Sequence, residues 1–328
     1  MIHCYGNYQA RRWHDHRNER HHMTSTPLRR SLLGAAVLVT LAGLAACSSP
    51  AAETTASSSD GSSSTTSSSA ASTQPAPDET RSPVAITHIH AVARDAKTDD
   101  LLLATHQGLV RQVGGELHQI GPGIDLMGFA VAPDGTYYAS GHPGTGVELP
   151  QPVGLITSTD SGRTWQVASR GGESDFHALT VGPKSVTGFD GALRTTTDRK
   201  TWTTRAIPAQ PRALAAAPAS GALLATTSAG LLLSTDDGNS WRTLTPPQTA
   251  LLVAWADEQT IVIATTEGHL ATSSDTGASW TLEPNAIGPV EALSAQHLGD
   301  GELEIIVVVD AKVLRTTDGG ATTEVLAS

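Results

Sequence analysis

The chain is 328 residues long and carries a formal net charge of −11 at pH 7, with 39% hydrophobic and only 4% aromatic residues. Acidity on this scale argues against nucleic acid or an anionic surface as partner, because either is bound through clustered Lys and Arg. Two cysteines, Cys4 and Cys47, exclude a disulfide framework.

Residues 1–22 are basic and His-rich without an apolar period, and read as an upstream extension with Met23 as the translation start. Residues 23–46 have the order of a bacterial export signal: Arg29-Arg30, an apolar run from Leu32 to Leu44, then small residues. The run is short of the ~20 residues a membrane span needs. Leu44-Ala45-Ala46-Cys47 resembles a lipobox, which implies a lipid on Cys47 and an extracytoplasmic, membrane-anchored protein whose contact with the membrane is that lipid alone. Residues 47–83 are a Ser/Thr/Ala/Pro tract that cannot build a core. As a flexible linker it reaches roughly 30–35 Å. Residues 1–46 hold six arginines against one Asp and one Glu, so the rest carries 15 basic and 30 acidic residues, near −15. Such a balance is compatible with cations as ligands.

From residue 84 to 328 the sequence is organised by an eight-residue pattern, Ser/Thr-x-Asp-x-Gly-x-x-Trp. It is intact at Ser158–Trp165 (Asp160, Gly162, Trp165), Ser234–Trp241 (Asp236, Gly238, Trp241) and Ser273–Trp280 (Asp275, Gly277, Trp280). Thr196–Trp202 is one residue short, with Asp198 and Trp202 but no glycine, and Thr316–Thr323 keeps Asp318 and Gly320 but ends in Thr. Successive Asp positions are 38, 38, 39 and 43 residues apart. A period near forty built from short strand-like runs is the mark of propeller blades. The chemistry is that of a hairpin turn: Asp accepts from turn N–H groups, Gly supplies φ > 0, and Trp packs back on the hairpin. Four of the six tryptophans are thereby structural, with the ring of the intact Trp241 motif expected to contribute more than Trp202.

Six such units predict an all-β, six-bladed propeller with boundaries near 86–122, 123–170, 171–207, 208–247, 248–287 and 288–328. Each has four strands, A to D; in the fourth unit these are Arg212–Ala216, Ala222–Thr226, Gly230–Ser234 and Trp241–Leu244. The first unit turns at Gly114-Gly115 in place of the motif, and Pro143–Val153 is a loop insertion. The repeated motif resembles that of the Asp-box (BNR repeat) propellers, which include sialidases and sialidase-like, glycosyl-hydrolase-like lipoproteins. The resemblance implies that the boxes hold blades together away from the active site.

Of the eight histidines beyond residue 46, five fall on two segments of the repeat. Aligned A strands put His90, Met127, His177, Arg212, Leu252 and Glu291 at one register position, which in a propeller faces the central channel. Two residues earlier stand His88, Asp125 and Asp175, on the same face by strand alternation. The ends of the B strands carry His106, His142 and Asp190 and return antiparallel to the same rim. Imidazole and thioether donors from His88, His90, His106, Met127, His142 and His177, supported by Asp125, Asp175 and Asp190, predict a metal site with copper or zinc as occupant, the thioether favouring Cu(I). His118 and His297 lie outside both segments.

A glycosidase reading rests on Asp175, Glu291 and Arg212 as weak catalytic candidates. A sialidase needs three arginines around its substrate's carboxylate and a Tyr nucleophile. Arg163, Arg194, Arg199 and Arg315 are expected in turns on the far face, and Tyr137 and Tyr138 adjoin within strand B of the second unit. The sequence therefore leaves three readings in this order: a lipid-anchored binding propeller with a metal ion or small ligand at the channel rim and no catalysis, a sialidase-like glycoside hydrolase, and an assembly scaffold for a protein partner.

Overall fold

The computed structural model describes residues 88–328. The extension (1–22), the export signal (23–46), Cys47 and the linker (47–83) lie outside the described residues.

Among the described residues there are twenty-four strands and no α-helix, arranged as six four-stranded sheets, each made of four consecutive strands. The protein is an all-β six-bladed propeller. The sheets run from Ile89 to Ile120, Ile124 to Ser169, Ala178 to Arg205, Pro211 to Leu244, Ala250 to Leu282 and Val290 to Ala327. They follow the periodicity to within a few residues.

The core lies between blades. Strand B is covered on both faces in Leu101–Thr105, Leu223–Thr227 and Ile261–Thr265. A strand buried on both sides has no polar face, so these segments read as unbroken apolar runs. Leu102, Ala104 and Leu109 of the first blade pack on Phe129, Tyr137 and Trp165 of the second. Each fully buried large aliphatic side chain contributes roughly 1.5–3 kcal/mol.

The recurring turn is built as its residue types require. Ser234 Oγ donates to Asp236 Oδ1 at 2.8 Å and accepts from the Gly238 N–H at 2.9 Å. Asp236 in turn accepts from the Ser240 N–H (2.8 Å) and Oγ (2.6 Å). The same geometry recurs around Asp160, Asp275 and Asp318. In the short copy Asp198 accepts from the Lys200 and Thr201 N–H groups at 2.8 and 2.7 Å. Glycine is demanded by the neighbouring blade as well as by φ: at Gly162 (φ 88°) a Cβ would stand 2.3 Å from Leu109 Cδ2. The turn thus docks on the preceding blade.

The tryptophans depart from expectation. Trp165 is buried at 8% exposure, whereas Trp202, Trp241 and Trp280 are half-buried. Trp202, in the irregular copy, stacks on the buried Phe176 with ring centroids 4.9 Å apart and donates to Ser169 Oγ at 2.9 Å. Trp241, equally half-buried, donates to Ala206 O at 3.0 Å. A missing glycine did not cost Trp202 its seat, because the seat is made by Phe176 of its own blade.

The ring closes without a shared strand, since the first and last sheets are each a single run of chain. Ile89, Val92 and Leu103 pack on Ile306 and Val308, and Arg94 pairs with Glu304 at 2.7 Å.

Candidate functional site

Strand A carries a β-bulge in five blades. Register shifts between Ile89 and Ala91, Leu126 and Gly128, Pro211 and Ala213, Ala250 and Leu252, and Val290 and Ala292. The unpaired residues are His90, Met127, Arg212, Leu251 and Glu291. A bulge bends the strand and re-aims its side chain, and here it does so at the channel end of each strand. The fifth blade's equivalent of His90 is therefore Leu251, and the expected Leu252 stands one residue further along. His90, Met127, His177, Arg212, Leu252 and Glu291 all line one axial cavity of about 150 Å³.

Within this ring the donors divide into two triads, each centred on a carboxylate. Asp125 Oδ1 is 3.4 Å from His90 Nε2, and Asp125 Oδ2 is 2.8 Å from His106 Nδ1. Asp175 Oδ2 is 2.6 Å from His177 Nε2 and 3.2 Å from His142 Nε2. In each triad one ligand atom per residue lies within 4.8 Å of the others. Each Asp stands just before its own blade's axial residue and reaches back to the B-strand histidine of the preceding blade, so each triad bridges two blades.

Backbone geometry fixes these side chains. Gly141 precedes His142 at φ 146°, and a Cβ there would stand 1.9 Å from Asp125 O, so only glycine lets the second strand approach the first at this point. His142 lies directly opposite Asp125 in the ladder, and its Nδ1 meets Gln151 Nε2 at 3.3 Å. The His106 N–H donates to His88 O at 3.2 Å. Burial holds the His90 pKa below its usual 6.5; Asp125 pulls it up, and His106, His88 and His177 push it down again. His90 is thus an uncharged imidazole at neutral pH.

Three polar atoms of the two triads, His90 Nε2, Asp125 Oδ1 and Asp175 Oδ1, are shut off from water and make no hydrogen bond. Single atoms elsewhere, His118 Nδ1 and Trp280 Nε1 among them, share that state, but among the described residues only the triads gather several. Buried polar atoms are nearly always satisfied, and here three unsatisfied ones belong to adjoining donor sets.

The other predicted residues fall elsewhere. His88 is exposed and joins neither triad. Met127 occupies the axial position of the second blade, the blade that both triads share, but belongs to neither. Asp190 is held by Arg194 at 2.9 Å and by Ser174 Oγ at 2.5 Å, with Arg170 at 3.5 Å. Burial would raise its pKa, but the Ser174 hydroxyl and Arg194 outweigh it and hold it down. Arg194 consequently belongs to the rim beside Asp190, not to the far face, because it begins strand C rather than ending it. Arg163 bonds Asp160 O, Arg199 meets Tyr138 OH and Arg315 pairs with Glu304, all away from the axis. Arg212 is the arginine that lines the axial cavity. Tyr137 bonds to the buried Asp95, with Arg111 Nη2 at 2.9 Å from its hydroxyl. A larger cleft of about 430 Å³ opens on the turn face between the second and third blades, beside Tyr138, Lys184 and Arg199.

A family model described as the DUF6242 beta propeller domain matches residues 182–312. No curated protein matches the chain. Among solved structures it is similar to XC5397, a gluconolactonase from Xanthomonas campestris, at 10% identity and a TM-score of 0.55 over 73% of this chain and 86% of that one. It is also similar to virginiamycin B lyase from Staphylococcus aureus, at 11% identity and a TM-score of 0.51 over 73% and 84%. At these identities the likeness is one of fold.

Proposed function

We propose that the protein is an extracytoplasmic binding propeller, held to the cell membrane by a lipid on Cys47, that takes divalent transition-metal ions at the two His/Asp triads. The observation that carries this reading is the trio of buried, unsatisfied donor atoms, His90 Nε2, Asp125 Oδ1 and Asp175 Oδ1, at the triads. Two imidazoles and a carboxylate suit Zn²⁺ or Cu²⁺. Donors on one four-coordinate zinc sit ~2.0–2.2 Å from it and so ~3.5 Å from each other. The 3.4 and 3.2 Å separations of His90 and His142 from their carboxylates match that spacing, and a cation would replace the proton shared by the closer pairs.

This differs from a single His/Met centre. A carboxylate at the heart of each triad favours the divalent ions over Cu(I), and Asp125 and Asp175 become ligands, not supports. The Asp-turn geometry agrees with kinship to the Asp-box propellers. Glycoside hydrolysis of the sialidase kind gains no support, since one arginine lines the cavity and Asp175 is committed to two histidines.

Elemental analysis and native mass spectrometry of protein purified without an affinity tag test the reading. Two equivalents of metal are expected in the wild type, and one fewer in each of Asp125→Ala and Asp175→Ala. Equal metal content in all three proteins would mean that the triads bind nothing. Fatty-acid labelling that survives Cys47→Ser would separately overturn the anchor.

A further inference from the structure

We infer that the axial cavity binds a small carboxylate, held through one carboxylate oxygen by the metal on the triad wall and through the other by the Arg212 guanidinium. The inference rests on the metal reading above and adds to it the class of ligand.

Three protein donors fill three positions on a four-coordinate ion, and the fourth is left for water or a ligand. The cavity beside the triads is lined by His90 and His177 on one side and by Arg212 of the fourth blade on another. Arg212 is exposed within this lining, and among the described residues it makes no hydrogen bond or ion pair. It sits at the bulge of its strand, between Pro211 and Ala213, so the backbone aims it at the channel. A guanidinium presents a planar fork of donors matched to a carboxylate. Apart from Glu291, the remaining side chains of the wall, Leu252 and Met127 among them, are apolar and suit a short carbon skeleton. At about 150 Å³ the cavity is half the ~300 Å³ at which drug-sized pockets begin. Its ligand therefore has only a few heavy atoms.

Electrostatics makes the two events interdependent. Without metal the rim offers Asp125, Asp175 and Glu291 against Arg212, the Asp190–Arg194 pair being neutral, and an anion is repelled. Two divalent ions reverse that balance. By linkage, metal must raise carboxylate affinity and carboxylate must raise metal affinity by the same factor. Glu291 lines the same cavity, is exposed, and has no partner among the described residues. It opposes the anion and sets a second, opposite test.

The experiment is an acetate titration of the Co²⁺-loaded full-length protein, followed through the visible Co²⁺ bands, with acetamide as the uncharged control. Acetate should shift the bands and acetamide should not. Arg212→Met should weaken acetate binding about tenfold or more, as loss of a charge-assisted hydrogen bond does, while leaving acetate-free Co²⁺ affinity within about twofold. Glu291→Gln should tighten acetate binding. Equal acetate affinity in wild type and Arg212→Met overturns the proposal and reduces acetate to a plain metal ligand. Tight Co²⁺ binding with no acetate response also overturns it, leaving the metal sites standing. Loss of Co²⁺ dependence on Asp125 and Asp175 removes both readings together.

Discussion

His90 Nε2 and Asp125 Oδ1 face each other at 3.4 Å across the boundary between the first two blades, and neither makes a hydrogen bond. Burial holds the His90 pKa down, so at neutral pH a cation does not have to compete with an imidazolium. His90→Ala and His177→Ala should each weaken one of two metal sites by about tenfold or more. His118→Ala and His297→Ala, whose nearest carboxylates are Glu116 and Asp257 outside the triads, should leave both unchanged. Competitive zinc and copper titrations, with thermal melts to check folding, decide this. Five indistinguishable proteins would sink the assignment.

Trp202 should outweigh Trp241 although its motif is the irregular one. Both rings are half-buried, but Trp202 stacks on the fully buried Phe176, whereas no ring stacks on Trp241 among the described residues. Trp202→Ala should cost about 3 kcal/mol or more, within the range for loss of a packed aromatic ring, and Trp241→Ala less. Urea denaturation with equal or reversed losses would show that the turn, not the Phe176 stack, anchors the ring.

How much was legible in the sequence follows from these residues. The spacing of Asp160, Asp198, Asp236, Asp275 and Asp318 revealed the blades because a turn needs its residue types locally, and local chemistry is written in order. The axial ring was legible for the same reason, up to the bulges. A bulge adds a residue without a sequence mark, and in the run Ala250-Leu251-Leu252 nothing distinguished which leucine was unpaired. The central place of Asp125 and Asp175 was hidden because each acts on the preceding blade, a relation set by how sheets pack around the axis. Asp190 looked equivalent to His106 and His142 by position. The arginine that claims it, Arg194, lies across the B–C turn, and motif counting had assigned that arginine to the opposite face.

The turn carboxylates make an acid-stability signature. The Ser240 hydroxyl, then its N–H, then Ser234 donate to Asp236 and hold its pKa down to about 2; Ser279 and Ser273 do the same for Asp275. A carboxylate depressed in the folded state binds fewer protons folded than unfolded, so stability rises with pH. The contribution is complete above the ordinary value of 3.8 and is lost as pH falls towards 2. Melting temperatures measured from pH 5 down to pH 2 should fall less steeply in Asp236→Asn than in the wild type. Parallel slopes would show that the turn hydrogen bonds do not discriminate the charged form.

The last prediction concerns closure. Glu304 is 1% exposed in the last blade and receives Arg94 of the first at 2.7 Å and Arg315 of its own at 2.7 Å, with Gln296 at 3.1 Å. Burial would raise its pKa, but the two arginines outweigh burial and hold it down. Since no strand is shared across this seam, the triad and the apolar contacts beside it resist opening of the ring. Glu304→Ala leaves two guanidinium groups facing each other and should cost about 2–3 kcal/mol, short of the ~3–5 kcal/mol for one partner of a fully buried pair. The discount arises because the Arg94 and Arg315 side chains keep 17% and 27% of their surface in water. Replacing all three by apolar residues of similar volume should recover much of the loss, as such triads often allow. Hydrogen exchange locates the effect: Glu304→Ala should speed exchange in Ile89–Arg94 and Leu303–Val309 well before the third and fourth blades respond. Uniform acceleration around the ring would place the weakest seam elsewhere.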